Sequence, residues 1–238
     1  MIECKNLSVK GILRDISFKA NAAEITVIIG KNGSGKTTLL RCLSNAVGYK
    51  GEVFINNKEV KCYGKNELSR LIALMPQSLP LPDVSLRRLV GFGRAPYTGF
   101  SGRLSLEDNK IIDSAIQAVG LGNIADRSIT LLSGGERRLA YFAMLLCQST
   151  PVIICDEPTA NLDTEHQKAI LSLLCKQREL GKTVICVLHD INQTVEIADR
   201  ILLIDSGTLS FYGTELYDLP VSHFGLTEYD CNGKKLYL

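Results

Sequence analysis

Several features typical of membrane-spanning or secreted proteins are missing from this 238-residue sequence. Tryptophan is absent, so the chain has no tryptophan belt of the kind found at membrane interfaces. No uninterrupted apolar run reaches the about 18 residues that a transmembrane helix needs. The N-terminal Met-Ile-Glu-Cys-Lys-Asn lacks the positive segment and following apolar segment of a signal peptide. We therefore expect a cytoplasmic protein.

Paired cysteine motifs are missing as well. The chain has eight cysteines, but no C-x-x-C pair, so zinc-binding and thioredoxin-like sites have no support. Cys155 and Cys186 lie inside strand-like apolar runs, and Cys147 and Cys175 lie at the ends of helical ones. This placement favours free, mostly buried thiols in a reducing compartment.

The sequence also lacks a strong excess of charge of either sign. Its formal net charge of +2 gives no reason to expect nucleic acid or a lipid surface as the main partner. Hydrophobic residues make up 45% of the chain and charged residues 22%, as in ordinary globular proteins. The length suffices for one domain or a compact pair of subdomains.

What the sequence does contain is a glycine-rich loop between an apolar run, Ile25–Ile29, and a helix predicted over Lys36–Ala46. The pattern G-x-x-x-x-G-K-T in this setting is typical of phosphate binding, because glycines let backbone N–H groups face a polyphosphate. The helix N-terminus adds free N–H groups and the positive end of its dipole. The loop therefore predicts a nucleoside triphosphate site. Its candidate residues are Lys31, Asn32, Gly33, Ser34, Gly35, Lys36 (on the β- and γ-phosphates), Thr37 (on Mg²⁺) and Thr38.

Apolar strands alternate with helical segments along much of the chain, which predicts an α/β fold with a mainly parallel sheet covered on both faces. Residues 2–18 predict two strands joined near Lys10-Gly11, and Gly51–Val60 predicts a hairpin turning at Asn56-Asn57. Further strands are expected at Leu71–Met75, Val152–Cys155, Thr183–Leu188 and Ile201–Ile204, with an edge strand at Tyr237–Leu238.

Residues 78–135 differ from the rest of the chain in composition and in their pattern of predicted elements. Pro80 and Pro82 mark a loop, a short helix is predicted over Ser85–Val90, and Ser105 resembles the N-cap of another helix that Gly120 ends. We predict a helical insertion over 78–135, within an α/β core with an antiparallel part over 1–77 and 136–238.

Two acids follow the predicted strand Val152–Cys155. Asp156 suits binding of Mg²⁺ through the waters around the ion, and Glu157 can orient and polarise an attacking water. The alternative is a solvated acidic strand end. His189 follows another buried strand at the same sheet edge and is a candidate contact to a γ-phosphate. The alternative is a structural histidine, which is the commoner role of a lone histidine. Gln77, after Leu71–Met75, can bind Mg²⁺ or the attacking water.

Leu132-Ser133-Gly134-Gly135-Glu136 precedes a predicted helix and forms a second candidate anion site. One chain would then hold two phosphate-binding helix ends but only one triphosphate loop. Head-to-tail dimerisation resolves this mismatch if each Ser133–Gly135 loop closes over the nucleotide of the other copy.

The phosphate loop, Gln77, LSGGE, Cys155-Asp-Glu-Pro158, Thr159-Ala-Asn-Leu-Asp163 and His189 occur in the order found in ATP-binding-cassette (ABC) ATPases. The resemblance covers nearly the whole chain. It implies a RecA-like P-loop NTPase fold and an ATP-bound sandwich homodimer with Mg²⁺. The roles it implies are Lys36 on phosphate, Thr37 and Gln77 on Mg²⁺, Glu157 as general base, His189 on the γ-phosphate, and residues 159–163 as a loop communicating across the interface.

The stretches Val84–Pro96 and Gly102–Asp108 are similar to importer ATPases for iron–siderophore complexes, haem and vitamin B12. That similarity implies a place on the cytoplasmic face of the membrane, beside polytopic permease subunits and, indirectly, an extracytoplasmic substrate-binding protein. Three residues or stretches depart from the family pattern. The end of the first strand has no aromatic residue to stack on adenine, so Lys10 or Ile12 is left to cover the base. Glu136 replaces a glutamine, and Lys31 replaces a proline.

Other functions stay open at this point. An exporter ATPase or the ATPase of a free-metal-ion importer would carry the same motifs. A soluble ABC protein acting on ribosomes or DNA usually joins two cassettes or carries a coiled coil, and neither is seen here. A non-hydrolysing regulatory subunit is disfavoured because Lys36, Glu157 and His189 are all present.

Overall fold

The computed structural model describes residues 1–99 and 102–214, together with the backbone of 228–231 and 234–237. The strands are β1 (Ile2–Val9), β2 (Leu13–Ala20), β3 (Glu24–Ile29), β4 (Lys50–Ile55), β5 (Lys58–Glu59), β6 (Ile72–Met75), β7 (Val152–Asp156), β8 (Thr183–Val187), β9 (Arg200–Asp205), β10 (Thr208–Gly213), β11 (Glu228–Cys231) and β12 (Lys234–Tyr237). The α-helices are α1 (Lys36–Leu43), α2 (Lys65–Ser69), α3 (Leu86–Gly91), α4 (Leu106–Ala118), α5 (Gly134–Cys147), α6 (Thr164–Glu179) and α7 (Ile191–Ile197).

The central sheet has six strands in the order β10-β9-β3-β8-β7-β6. Neighbouring strands from β9 to β6 run parallel, and β10 alone pairs antiparallel, as a hairpin with β9. The apolar runs of β7 and β8 are buried along their whole length, as expected for strands covered on both faces. The predicted α/β fold with a mainly parallel sheet is confirmed.

Alternate side chains of the central strands enter two separate cores, because successive residues of a strand point to opposite faces. Ile153 packs among helices α3 to α7. Ile154 packs on the other side with α1 and the antiparallel sheet. The sheet is therefore covered by helices on one face, and by α1 and a second sheet on the other.

The second sheet is antiparallel, in the order β2-β1-β4-β5. Its two hairpins turn where the sequence predicted. Asn56 and Asn57 have φ of 51° and 65°, the left-handed pair that a two-residue type I′ turn requires. At the other hairpin, Ile12 N donates to Val9 O at 2.9 Å, so residues 10 and 11 form a tight turn.

Serine caps begin α3 and α4, which lie in the helical insertion, and α5, which starts at its end. The hydroxyls of Ser85, Ser105 and Ser133 accept from the N–H three residues on, at the starts of α3, α4 and α5. These caps satisfy N–H groups that the helix itself cannot. The side chains of α3, α4 and α5 share one apolar core with the helix-covered face of the sheet, so the insertion and the sheet form one packed unit.

A buried ion pair ties the insertion together. Arg94 Nε donates to Asp108 Oδ1 at 2.8 Å, and Arg94 Nη1 donates to Cys147 O at the end of α5. Asp108 also accepts from Ser105 at the start of α4. Gly93 allows this approach, because a Cβ there would lie 2.4 Å from Met144 O. The Gly93-Arg94 stretch thus joins α4 and α5.

The structure corrects three details of the sequence prediction. Helix α1 ends at Leu43 rather than Ala46, because Asn45 turns to a φ of 55°. Helix α2 was not predicted, since none of its residues is buried and it shows no apolar period. The strand expected at Tyr237–Leu238 is found at Tyr237, but it begins at Lys234 and pairs with β11 in a separate two-stranded sheet; Leu238 lies outside the described residues.

Candidate functional site

The candidate site lies at the edge of the central sheet where the parallel strands end. The phosphate loop follows β3, His189 follows β8, Glu157 follows β7 and Gln77 follows β6, and these four strands are adjacent in the order β3-β8-β7-β6. Ligand sites of such sheets lie beyond the carboxyl ends of the strands. Four separate stretches of sequence therefore meet at one edge.

These residues line one cavity of about 530 Å³. Its wall comprises Ile12, Asn32, Gly33, Gly35, Lys36, Thr37, Thr38, Gln77, Glu157 and His189. Of the phosphate-loop residues predicted from the sequence, Lys31 and Ser34 lie outside this wall: Lys31 is exposed, and Ser34 is buried beneath the loop. The signature stretch Ser133–Glu136 does not line the cavity either.

The backbone of the phosphate loop fits an anion. Gly35 precedes α1 with φ of 105°, and no side chain caps the helix, so its first turn is left open to a ligand. Gly30 has φ of 149°, and a Cβ there would lie 2.2 Å from Ile204 O. A larger residue could not occupy the start of this loop.

Lys36 is folded back over the loop. Its Nζ donates to Gly30 O at 2.7 Å and to Lys31 O at 2.9 Å, and the residue is 6% exposed. Burial lowers the pKa of Lys36, while the nearby carboxylates of Glu157 and Asp156 act in the opposite direction. The ammonium group is therefore already positioned inside the loop that a phosphate would occupy.

Asp156 ends β7 as a buried carboxylate, 4% exposed. Burial raises its pKa, and a hydrogen bond from Thr37 partly offsets that rise. Its Oδ1 has no hydrogen-bond partner within the described chain. A buried, unpaired carboxylate oxygen is costly unless a cation or water satisfies it. Together with the Thr37 hydroxyl, Asp156 offers the hard oxygen donors that suit Mg²⁺.

Glu157 is held from two sides. Gln77 Nε2 donates to its Oε2 at 2.7 Å, and His189 Nε2 lies 2.5 Å from its Oε1. The residue has φ of 51°, in the left-handed region that a non-glycine side chain seldom adopts. The structure thus brings the three predicted catalytic residues into direct contact within the cavity.

The stretch Ser133–Glu136 forms a capping box at the start of α5. Glu136 N donates to Ser133 Oγ at 3.2 Å, and Ser133 N donates to Glu136 Oε2 at 2.8 Å. Hydrogen bonds from Ser133 to the Glu136 carboxylate, first from its backbone N–H and then from its hydroxyl, lower the pKa of Glu136. The glutamate in place of the family's glutamine therefore has a structural use, as the reciprocal partner of the cap.

Two residues that sequence reasoning did not select lie next to the site. Arg138 Nη2 donates to the carbonyls of Glu157 and Gln77. The ring of His166 packs against Gly135 and pairs with Asp163. The signal for Arg138 was a charged residue on the buried face of a predicted helix. For His166 no local signal existed.

Within the described residues, no helix is both long enough and apolar enough to span a bilayer. The seven cysteines described there are free, and five of them are buried, as predicted.

Comparison with known proteins gives concordant results. The ABC transporter family model matches residues 13–160. The petrobactin import ATP-binding protein FpuC of Bacillus anthracis is 36% identical over 204 residues, covering 84% of this chain and 75% of that protein. The ferric enterobactin transport ATP-binding protein FepC of Escherichia coli (strain K12) is 36% identical, with 85% and 76% covered. A solved dimeric ATP-binding cassette in a post-hydrolysis state with ADP and Pi superposes with a TM-score of 0.78 and 27% identity, covering 90% of this chain and 98% of that one.

Proposed function

This chain belongs to the ABC transporter family, and we propose that it powers a membrane importer for iron–siderophore complexes or a similar metal chelate such as haem or cobalamin. ATP binding and hydrolysis are the activity of its family. The proposed cargo is supported by relatives named for petrobactin import and ferric enterobactin transport. The observation that carries the catalytic proposal is the contact of Glu157 with Gln77 and His189 beside the phosphate loop.

Lys36 is proposed to exchange its carbonyl partners for the β- and γ-phosphate oxygens of ATP. Its Nζ needs no long movement, because Gly30 O and Lys31 O belong to the loop that surrounds the phosphates. Asn32–Thr38 would supply backbone N–H groups, and α1 the positive end of its dipole. Lys31 is exposed, so its contribution is a screened charge near the nucleotide.

Mg²⁺ is proposed to accompany the nucleotide. Thr37 and Gln77 would bind it directly, and Asp156 would hold its water shell through the Oδ1 that has no partner in the described chain. Such an ion neutralises charge on the β- and γ-phosphates during phosphoryl transfer. Few carboxylates are needed, because Mg²⁺ keeps several waters and binds phosphate oxygens as well.

Glu157 is the proposed general base, and His189 the proposed contact to the γ-phosphate. Both carboxylate oxygens of Glu157 are engaged, one by Gln77 and the other by His189. Each carboxylate oxygen can accept a second hydrogen bond, so an attacking water can bind Glu157 beside these partners or in place of one of them. Glu157 would then orient that water toward the γ-phosphorus and accept its proton.

Closure of the site is proposed to need a second copy of the chain. The Ser133–Gly135 loop does not line the cavity of its own chain, yet it begins α5 with free backbone N–H groups next to Ser133. A head-to-tail homodimer in the ATP-bound state would place this loop over the other copy's γ-phosphate. The dimeric state of the superposable ATP-binding cassette supports this arrangement.

The proposed partners in the membrane are polytopic permease subunits, which in turn meet an extracytoplasmic substrate-binding protein. The chain would lie on the cytoplasmic face of the membrane. The proposed contact is the helical segment 78–135, which carries several exposed apolar side chains. Leu81 and Phe92 are each 48% exposed, and Leu106 is 86% exposed.

The catalytic proposal is tested with Glu157→Gln. This variant keeps the side chain's size but cannot accept a proton from water. We expect it to bind ATP, to stall before hydrolysis, and to accumulate as a dimer in size-exclusion chromatography with light scattering. If this variant hydrolysed ATP at the wild-type rate, Glu157 would not be the general base.

The transport proposal is tested by copurification from membranes, followed by uptake of labelled ferric siderophore. We expect a polytopic permease to copurify with the wild-type chain, and Phe92→Ser to weaken that association. Leu180→Ser is the matched control, since Leu180 is also exposed, at 64%, but lies at the end of α6. Recovery of an exporter, or RNA-dependent ATPase activity without a membrane partner, would contradict the import assignment.

A further inference from the structure

We propose that Arg138 is a positioning residue that transmits the placement of α5 to Glu157. The proposal rests on the function proposed above, in which Glu157 activates water and the start of α5 contacts the second nucleotide. Arg138 lies on α5, five residues after Ser133, so about 7 Å of rigid helix separates the two positions along the axis.

The guanidinium of Arg138 bridges two segments that end neighbouring strands. Its Nη2 donates to Glu157 O at 3.2 Å and to Gln77 O at 3.4 Å. Arg138 is 7% exposed. One buried side chain of α5 thus contacts the backbone of both Glu157, the proposed general base, and Gln77, a proposed Mg²⁺ ligand.

The contact to Glu157 falls on a strained part of the backbone. The φ of Glu157 is 51°, a conformation that costs a non-glycine residue on the order of 1 kcal/mol unless its surroundings hold it. The Glu157 carbonyl accepts from Arg138 Nη2 at 3.2 Å and from Ala160 N at 3.2 Å. These two hydrogen bonds fix the peptide plane that follows Cα of Glu157, the atom that carries the side chain.

Burial of a guanidinium calls for a physical reason. Within the described residues, the guanidinium of Arg138 donates hydrogen bonds to the carbonyl oxygens of Gln77 and Glu157. Burial lowers its pKa, and the charge of Glu157 opposes that change. Burial of a cation without a directly bonded carboxylate usually costs stability. Arg138 is therefore better explained by the geometry that it imposes on Glu157 and Gln77 than by a gain in stability.

The consequence is a direct mechanical link. When the Ser133–Gly135 loop is drawn toward a nucleotide, α5 moves as a unit, and Arg138 moves with it. The carbonyls of Glu157 and Gln77 are then pulled into the position that aligns the carboxylate with water. Hydrolysis would thereby depend on correct seating of the loop, even though the loop acts on the other copy's nucleotide.

The test replaces Arg138 with methionine, which keeps length and removes the donors. We expect kcat to fall about 10- to 100-fold, the effect of misplacing a catalytic group by about 1 Å. The Kd for ATP, measured with a fluorescent nucleotide, should change less than about twofold, because Arg138 does not line the nucleotide cavity. Arg138→Lys, which retains one donor, should recover part of kcat.

Arg137→Met is the matched control. Arg137 is the neighbouring arginine on α5, and its Nη2 donates to Leu132 O at 3.1 Å rather than to Glu157. Because this contact reaches neither Glu157 nor Gln77, kcat should fall clearly less in Arg137→Met than in Arg138→Met. Melting temperatures of both variants separate a positioning role from a loss of folding, and Arg138→Lys supplies the kinetic readout if Arg138→Met is poorly folded.

Wild-type kcat in a folded Arg138→Met variant would overturn the proposal. So would equal losses of kcat in the Arg137 and Arg138 variants, or a loss of kcat that follows the loss of ATP binding. Glu157→Gln is measured in parallel. If it is inactive while Arg138→Met is normal, only the link is wrong; if Glu157→Gln turns over normally, the proposed mechanism itself fails.

Discussion

The imidazole ring of His166 lies directly against Gly135, so that a Cβ on Gly135 would come within 2.5 Å of His166 Cδ2. His166 Nδ1 lies 2.8 Å from Oδ2 of Asp163, the residue that caps α6. The contact therefore joins the Ser133–Gly135 loop to the 159–163 segment. Both segments are proposed to reach the second copy of the chain, and His166 makes them neighbours within one copy.

The first prediction concerns this contact. Gly135→Ala should push the His166 ring away from Asp163 and displace the loop, so ATP-driven dimerisation should weaken by about tenfold, or about 1.4 kcal/mol. Removing the ring makes room for the new methyl group, so the Gly135→Ala/His166→Ala double variant should dimerise better than Gly135→Ala alone. The dimer fraction is measured by size-exclusion chromatography in the Glu157→Gln background.

Gly48→Ala is the control for this series. A Cβ at Gly48 meets no atom within 4 Å, and the residue lies outside the site. It should leave the dimer fraction unchanged. A double variant as impaired as Gly135→Ala, or an unaffected Gly135→Ala, would mean that the ring does not position the loop.

The site residues that meet at the edge of the central sheet could be predicted, because each of them closely follows an apolar strand in the sequence. Gln77 follows β6, Glu157 follows β7 and His189 follows β8. The order of the strands was not needed, since parallel strands bring all their carboxyl ends to one edge. The sequence therefore predicted which residues would meet, and the structure shows them in contact.

The contacts of Arg138 and His166 could not be predicted in the same way. Each depends on how α5 packs against β7 and α6, which local periodicity does not specify. Arg138 contacts a carbonyl rather than a side chain, and backbone acceptors leave no trace in a sequence. His166 meets a glycine, whose missing side chain likewise gives no pattern. Residues that act through the backbone are the ones that sequence reasoning missed.

The second prediction concerns the base of the nucleotide. Ile12 lines the nucleotide cavity, is 44% exposed, and is held in place because its carbonyl packs tightly against Gly207. No aromatic residue lines that cavity in the described structure. We expect Ile12→Tyr to stack on adenine and to lower the Kd for ATP about tenfold, since base–aromatic stacking is worth about 1–3 kcal/mol.

Ile12→Ala should raise the same Kd by a few-fold, and Lys10→Ala, which does not line the cavity, should change it little. Isothermal titration with ATP measures all three. If Lys10→Ala weakens binding more than Ile12→Ala does, Lys10 rather than Ile12 covers the base.

The third prediction separates two lysines of the phosphate loop. Lys36→Ala removes a buried ammonium group that already lies among the loop carbonyls, so ATP affinity should fall about 100-fold or more, as charge-assisted bonds to phosphate are lost. Lys31→Ala removes an exposed charge. This variant should lose less than about threefold in ATP affinity. The loss should shrink as the salt concentration rises from about 50 to about 300 mM, because exposed charges are screened.

Equilibrium binding of a fluorescent ATP analogue at several salt concentrations tests both variants. Equal losses of affinity, or a loss in Lys31→Ala that salt does not reduce, would contradict the distinction drawn between a buried and a screened lysine.

The fourth prediction concerns acid stability of the helical segment. Hydrogen bonds from Ser105 and from Arg94 hold the pKa of Asp108 at about 2, against 3.8 for the free side chain. Because the folded-state pKa is the lower one, the stabilisation is complete above pH 3.8 and is lost as the pH falls toward 2. Asp108→Asn should therefore destabilise the protein at pH 7, and this destabilisation should shrink as the pH falls below about 4.

The side chain of Arg94 is only 8% exposed. At pH 7 the variant leaves this buried guanidinium without its carboxylate partner. Breaking such a pair costs about 3 kcal/mol, which for a chain of this size lowers Tm by roughly 6–12 °C. Asp113→Asn is the control, since the Arg87–Asp113 pair is exposed and surface pairs contribute about 1 kcal/mol or less. Calorimetry from pH 7 to about pH 2.5 should show that the Tm values of wild type and Asp108→Asn converge as the pH falls. Protonation of Asp108 removes from the wild type the same charge that the substitution removes. A gap that stays constant over this range would mean that the charge of Asp108 does not stabilise the segment.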